Sequence, residues 1–447
     1  MTAEQFVSAA LENLEHGCVI HRSAHTQNLR WANSALTTNG DTQTSNLTVI
    51  AFDHGRDGIR VGIRSSEVGE PGDAAVLARG SVEDARGAPV SESAPLTDGG
   101  RSDDFASDPQ ALDPRTTDRL LEAAGTFLEM PGRQFGYAEL GTTTTYLATT
   151  AGTRRRQVQD EVRFEASVRD EGGSTWWGTN TLATDFDAAA RAEQDRLEWQ
   201  HVREDLEPGR YPVILSPSAV ADLLIYLAWS ANGRDAAEGH NVFARAGGGT
   251  RLGEQLTRRT MTLSADPQYP GLATSDRVVV DSNSSMESVF DNGLPLRRRS
   301  LIEDGRLVSL RASRPTAARF GLEPVYLADN LILTDNAGDG DLTDLLARTH
   351  NGVLVNCLWY IREVDPQNLL LTGLTRDGVY RVRDGEVVAA LPNFRFNVAV
   401  PDLLDRVVDA TKTSACLPRE WADWFTRTAM PALSVDGFNL SSRSDAV

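Results

Sequence analysis

Cysteine is scarce in this 447-residue chain: Cys18, Cys357 and Cys416 are an odd number and lie far apart. No disulfide framework follows from them, and a reducing, cytoplasmic compartment is expected. Cations are outnumbered, with 44 Lys and Arg against 63 Asp and Glu for a net charge of −19. Phosphate binding needs clustered cations, so nucleic acid is not an expected partner, and the acidity reads as a solubility feature. Long apolar runs are missing too. The longest, 219–231, contains Asp222 and is too short to cross a bilayer, so no membrane partner is expected. The first 17 residues carry Glu4, Glu12 and Glu15 and lack the basic and apolar blocks of a signal peptide. One further absence is local. The run from Pro217 to Ala231 reads as a helix and holds no His, Glu or Cys.

What is present is ordinary for a globular chain: 40% hydrophobic and 24% charged residues. The length suggests two or three domains. Phe6, Ala9, Ala10 and Leu14 recur at helical spacing over 2–15. Alternating strands follow at 29–33, 45–52 and 58–63, the last two joined by an Arg56-Asp57-Gly58 turn. From Gly69 to Pro114 the chain turns rich in Gly, Ala, Ser, Asp and Pro, with a short helix at 74–79 and a flexible, solvated loop over 87–112. A helix starts at Pro114, capped by Asp113 or Thr117, and Thr-rich strands occupy 135–139, 144–150, 157–168 and 174–177. A helix over 187–205 leads to Glu207-Pro208-Gly209, a plausible boundary. Beyond it short strands dominate, punctuated by Asp304-Gly305 and Asp384-Gly385 hairpin turns. The expected class is α+β: an N-terminal α/β domain over 1–206 with helices on a sheet, then a β-rich domain over 207–447.

Several motifs invite chemistry and support little of it. His16, His21 and His25 lack the companion ligands of a metal site, and His240 alone is far short of the roughly three protein ligands a catalytic zinc uses. Gly247-Gly248-Gly249-Thr250 with Gly253 has no following Lys-Ser/Thr and reads as a flexible loop rather than a phosphate cradle. No Gly-x-Ser-x-Gly elbow occurs. A Cys–His pair of Cys357 or Cys416 with His350 is formally available, but Cys357 sits in an apolar run and reads as core. Arg154-Arg155-Arg156 and Arg297-Arg298-Arg299 read as solvated turns, with pairing to acidic surface or a partner as the alternative. In 393–397 alternation puts Phe394 and Phe396 on one face, toward a core, and Asn393, Arg395 and Asn397 on the other, where they could line a peptide cleft.

From Tyr211 onward the order and spacing of short stretches resemble one family. They include Val213-Ile214-Leu215-Ser216-Pro217, Arg251-Leu252-Gly253-Glu254, Asp291-Asn292-Gly293-Leu294-Pro295, Leu301 to Leu307, Thr316 to Gly321, Asn351 to Val355, Leu371-Thr372-Gly373 and Asp384 to Val388. Together they resemble the C-terminal domain of the TldD/TldE (PmbA) metallopeptidases. The resemblance implies a catalytic TldD-type partner with a His-Glu-x-x-x-His zinc helix and a later Cys. By position that motif falls near Ile225, Tyr226 and Ser230, none of which is a metal ligand here, while Cys416 stands about where the late Cys would be. The chain therefore resembles the TldE/PmbA type. The resemblance implies no catalytic residue or metal of its own, zinc in a TldD-like partner subunit, a dimer or higher assembly, and a role enclosing peptide or unfolded-protein substrates for proteolysis or leader processing. The alternatives are a self-sufficient repurposed enzyme of the same fold acting on a small peptide-like substrate, and a peptide-binding module without a catalytic partner.

Overall fold

The computed structural model describes residues 2–444. The chain opens with α1 (Ala3–Leu11), whose Thr2 cap and Gln5 form a reciprocal capping box. Three long strands follow, β1 (Gly17–Ala32), β2 (Ala35–Gly55) and β3 (Gly58–Glu67), then α2 (Pro71–Gly87) and the short β4 (Val90–Ser91). The helix α3 (Pro114–Leu128) is capped by Asp113. It leads to β5 (Arg133–Thr149), β6 (Arg154–Arg169), β7 (Ser174–Thr179) and α4 (Phe186–Trp199). The strands form one sheet in the order β4-β3-β2-β1-β5-β6-β7, antiparallel throughout.

Period-2 alternation divides this sheet into two faces with different fates. Val19, Val49, Tyr146 and Ala148 turn to α1 and α2, while Trp31, Leu140 and Phe164 turn, on the same face, to α3 and α4. Cys18, Ile20, Ile50 and Leu147 point the other way and pack on Val289 and Phe290 of the C-terminal half. The 87–112 segment, expected to be flexible, is tied down along its length: Ala94 and Leu96 pack on the Cys18–Phe290 cluster and Arg314 donates to the Pro95 carbonyl (2.9 Å), while the part from Phe105 lies on the helical face. Phe105 is buried, Gln110 N–H donates to Thr144 Oγ1 (2.8 Å), and the Tyr146 hydroxyl donates to the Ser107 carbonyl (2.6 Å). Arg154, Arg155 and Arg156 are not a solvated turn. They begin β6, where Arg155 pairs with Asp276 and Arg156 with Asp104, because strand alternation sends each toward a different acceptor.

The C-terminal half starts with β8 (Gly209–Leu215), α5 (Pro217–Ser230), α6 (Gly233–Glu238) and β9 (Met261–Ala265). Next come β10 (Arg299–Glu303), β11 (Arg306–Leu307), α7 (Arg314–Phe320), β12 (Leu331–Asp335) and α8 (Leu342–Ala347). The chain continues through β13 (Asn351–Asp365), β14 (Leu370–Arg383), β15 (Glu386–Ala390), β16 (Phe394–Ala399) and α9 (Val400–Asp405). It finishes with β17 (Val407–Ala410), β18 (Ser414–Cys416), β19 (Thr428–Met430) and β20 (Leu433–Arg443). Strands β13, β8, β20, β16 and β14 pair in that order, and a β13–β14 ladder closes the ring. A second sheet runs β11-β10-β9-β12-β19-β18. Helix α5 is apolar on every side and shares one core with both, including Val213, Val355 and Phe396 from the ring and Leu263, Leu331 and Met430 from the second sheet. Among the described residues no helix is long and apolar enough to cross a membrane.

Candidate functional site

Where the open face of the first sheet passes its apolar contact with Phe290 it becomes polar, and there a cavity of about 800 Å³ opens against the C-terminal half. Its floor is Arg22 of β1, Thr143 and Thr145 of β5, and Gln157 and Gln159 of β6. These are ladder neighbours: Thr145 lies opposite both Arg22 and Gln157, and Thr143 opposite Gln159.

One wall is the extended segment 275–281. Its one edge is satisfied: Val278 exchanges hydrogen bonds with Leu294 and Gly293 (both 2.9 Å). The Val280 amide donates to Asn292 Oδ1 (2.7 Å), and the Asn292 amide returns a bond to the Val280 carbonyl (2.8 Å). Backbone polarity alternates along an extended chain, so the groups of Val279 point to the opposite edge. Neither its N–H nor its C=O has a hydrogen-bond partner among the described residues, and Arg277 through Asp281 all line the cavity.

The third wall is aromatic. Ile225, Ala228 and Trp229 come from α5, and Trp421, Trp424 and Phe425 from the β18–β19 connection. Trp229 and Trp421 meet edge to face with centroids 4.6 Å apart. Trp424 is 79% exposed, which is unusual for an indole in a folded chain. The connection is anchored from both halves. Asp222 of α5 accepts the N–H groups of Arg419 (3.2 Å) and Glu420 (3.0 Å), and Glu420 accepts those of Tyr360 (2.9 Å) and Ile361 (3.1 Å). On the other side Arg163 of β6 pairs with Asp423, and the Thr426 hydroxyl donates to Glu161 (2.6 Å). Burial lifts the Asp222 carboxyl well above the usual carboxylate range, and the facing Glu420 charge adds to it while the two N–H donors oppose.

The cavity's carboxylates are already matched. Asp281 pairs with Arg22 (3.0 Å), Glu287 with Arg311 (3.3 Å) and Asp329 with Arg427 (3.2 Å). Burial pushes Asp329 up, with Arg427 opposing it, and pushes the Arg311 guanidinium down. The lining contains no His and no Cys. A zinc centre asks for about three nitrogen, sulfur or carboxylate ligands converging on one point. Ion-paired carboxylates facing an apolar α5 do not fit that requirement, and no metal-dependent step is built on these residues.

Of the residues singled out in sequence, Ile225 lines the cavity. Tyr226 packs beside Trp229 and Trp421 and donates its hydroxyl to the Ile361 carbonyl (2.8 Å), and Ser230 closes α5. Cys416 is buried on β18, its sulfur against the Pro217 carbonyl (3.5 Å) and the Thr428 hydroxyl (3.4 Å). Burial pushes that thiol up to about 12, so it is an inert core group. Cys357 is equally enclosed, donating to the Arg376 carbonyl (2.9 Å). Asn393, Arg395 and Asn397 do lie on the face opposite the buried Phe394 and Phe396, but none of the three lines the cavity.

The N-terminal histidines do not converge. His16 meets the ring of His54 at a tilt, His21 is enclosed between Phe6 and Tyr146, and His25 pairs with Asp41. Among the described residues one group of metal-type ligands comes together, Asp235, Glu238 and His240 on and just after α6. Asp235 and Glu238 are already engaged by Asn232 and Arg234, and none of the three lines the cavity. Sequence reasoning missed Val279, Arg311 and the aromatic wall. Only the last had a signal, the run Trp421-Ala422-Asp423-Trp424-Phe425 in an otherwise polar stretch.

Residues 208–442, just over half of the chain, match the family model described as the PmbA/TldA metallopeptidase C-terminal domain. The whole fold is similar to that of TldE from Thermococcus kodakarensis, with a TM-score of 0.78 over 98% of this chain and 99% of that one, at 14% identity. A Thermotoga maritima protein described as a candidate modulator of a DNA gyrase aligns with a TM-score of 0.75, 15% identity, and 98% and 100% coverage. A Bacteroides thetaiotaomicron protein with a similar description aligns with a TM-score of 0.75, 17% identity, and 98% of each chain. At these identities the likeness establishes the fold. No curated protein matches the sequence.

Proposed function

The chain belongs to the PmbA/TldA metallopeptidase family, and within it we propose that it is a non-catalytic, TldE-like subunit that binds and encloses peptide for a zinc-bearing partner. The observation that carries this reading is the cavity: its α5 wall is Ile225, Ala228 and Trp229 where a metal helix would present ligands, and its 275–281 wall offers an open backbone edge at Val279. An unpaired extended edge is what an incoming peptide backbone uses to add a strand, and neighbouring aromatic surface buries its side chains. The similarity to the archaeal TldE fold supports the same reading. The catalytic chemistry then resides in the partner, where zinc would polarise a water for attack on the amide, while this chain positions substrate and excludes water.

The test is co-expression with a paralogue from the same genome that carries an intact His-Glu-x-x-x-His helix, with purification through a tag on this chain. A stable complex holding about one zinc per pair, and peptide hydrolysis that neither chain performs alone, is the expected result. Turnover by this chain alone would overturn the proposal in favour of a repurposed enzyme. A metal-free chain that binds peptide and never retains the paralogue would favour a free-standing binding module.

A further inference from the structure

The cavity's own unmet hydrogen bonds carry information about what it takes. Three polar side-chain atoms of its lining are buried without a partner: Arg277 Nε, Arg311 Nε and Trp421 Nε1. All three are donors, and no side-chain acceptor of the lining is left in that state. Other arginines, among them Arg155, Arg163 and Arg419, also leave Nε unpaired, but these three line an open cavity that leaves no side-chain acceptor over, so an acceptor supplied from outside would meet an unmet need there.

The cations are under-matched as well. Arg311 uses only Nη2, toward Glu287 at 3.3 Å, and that carboxylate is 45% exposed where the arginine is 16% exposed. Arg277 uses only Nη1, toward the Asp276 carbonyl (2.9 Å) and carboxylate (3.0 Å). Asp276 also serves Arg155 (3.3 Å) and the Gln157 amide (3.0 Å), so one carboxylate faces two guanidiniums. The acidic lining residues offer no matching surplus, since Asp281, Glu287 and Asp329 are each already engaged by an arginine. Burial pushes the Arg311 guanidinium down, with Glu287 and Asp329 opposing it.

We propose that Arg311 and Arg277 form a carboxylate subsite in this cavity, taking the free C-terminus or an acidic side chain of a bound peptide. A guanidinium fork with an unused edge matches the two oxygens of a carboxylate, and an enclosed site strengthens the pair. The proposal deepens the peptide-binding reading above and rests on it.

Three peptides separate the two claims, each titrated into the full chain by calorimetry: acetyl-Ala-Val-Ala-Phe with a free C-terminus, its C-terminal amide, and acetyl-Ala-Glu-Ala-Phe amide. The expected result is that a carboxylate-bearing peptide binds about tenfold or more tightly than the neutral amide, as for a hydrogen bond to a charged group. Preference for the free acid identifies the C-terminus, and preference for the Glu peptide identifies a side chain. Arg311→Gln should remove most of that advantage, bringing the three peptides to within about threefold of one another. Arg277→Gln gives the same reading should the first variant not fold. Equal binding of all three peptides overturns the subsite and leaves peptide binding standing. Equal weakening of all three by Arg311→Gln makes its role structural and also overturns the subsite. No binding of any peptide overturns both claims.

Discussion

The Asp222 carboxylate, buried in the middle of α5, accepts the backbone N–H groups of Arg419 (3.2 Å) and Glu420 (3.0 Å) and so fixes the connection that brings Trp421 and Trp424 to the cavity. Removing it with Asp222→Ala leaves two enclosed N–H groups unpaired, a cost of about 2–4 kcal/mol. The thermal midpoint should fall, and the tryptophan emission of the folded state should shift as the aromatic wall loosens. An unchanged spectrum and midpoint would mean that the connection is held without Asp222.

The same carboxyl makes a pH prediction. Burial lifts it well above its ordinary 3.8, so the folded chain keeps a proton that the unfolded chain releases. Its contribution is therefore lost as pH rises from the unfolded value through the folded one. Relative to Asp222→Asn, the natural chain should lose thermal midpoint as pH rises above the ordinary value of 3.8. Parallel profiles for the two would show that Asp222 stays ionised.

His21 works in the opposite direction. Enclosed by Phe6 and Tyr146, with Nε2 at 2.9 Å from the Ser45 hydroxyl, it is pushed by burial from 6.5 down to about 4. The unfolded chain binds the proton first, so stability drops as pH falls from 6.5 toward 4, with a slope of up to about 1.4 kcal/mol per pH unit from this one group. His21→Phe retains the ring packing and should flatten the acid limb of a melting-temperature profile. A variant as acid-sensitive as the natural chain would place that sensitivity elsewhere.

Asn180 joins the two halves. Its amide lies within hydrogen-bond distance of three carbonyls, those of Cys416 (2.8 Å), Thr426 (2.7 Å) and Thr428 (3.0 Å). Asn180→Ala should cost about 2–4 kcal/mol through the acceptors it strands. Asn180→Asp, nearly the same shape, should be worse near neutrality than in acid, because a carboxylate would face three carbonyl oxygens. Chemical denaturation of both variants at two pH values checks the order.

Val279 separates binding from folding. Its N–H is unpartnered, so Val279→Pro breaks no hydrogen bond of the chain and trims only part of the side-chain packing on the Cys18–Phe290 cluster, while removing the donor that a bound peptide backbone would need. Peptide affinity should fall about tenfold with little change in thermal midpoint. Unaltered affinity would show that peptide does not pair along 275–281.

Much of this arrangement was legible in the sequence. The Arg56-Asp57 and Asp304-Gly305 turns, the Asp113 cap, the burial of Phe394 and Phe396, and the helix at 217–230 all follow from local chemistry. The middle of β1 did not, because Ser23 to Asn28, Ala24 apart, is polar on both faces. One face lies under the 87–112 strap and the other heads toward the cavity, so alternation carries no hydrophobic signal there. The strap itself has loop composition and is fixed by long-range partners such as Thr144 and Tyr146. Arg311 and Val279 are ordinary in sequence. What distinguishes them is an unused hydrogen-bonding edge, which exists only once the two halves have met.

The most direct test of the central claim, a peptide-binding cavity that uses no metal of its own, is metal analysis of the purified chain alongside peptide titration with and without a chelator. The account predicts far less than one zinc per chain and an unchanged affinity when chelator is added. Stoichiometric zinc, or binding abolished by the chelator, would contradict it.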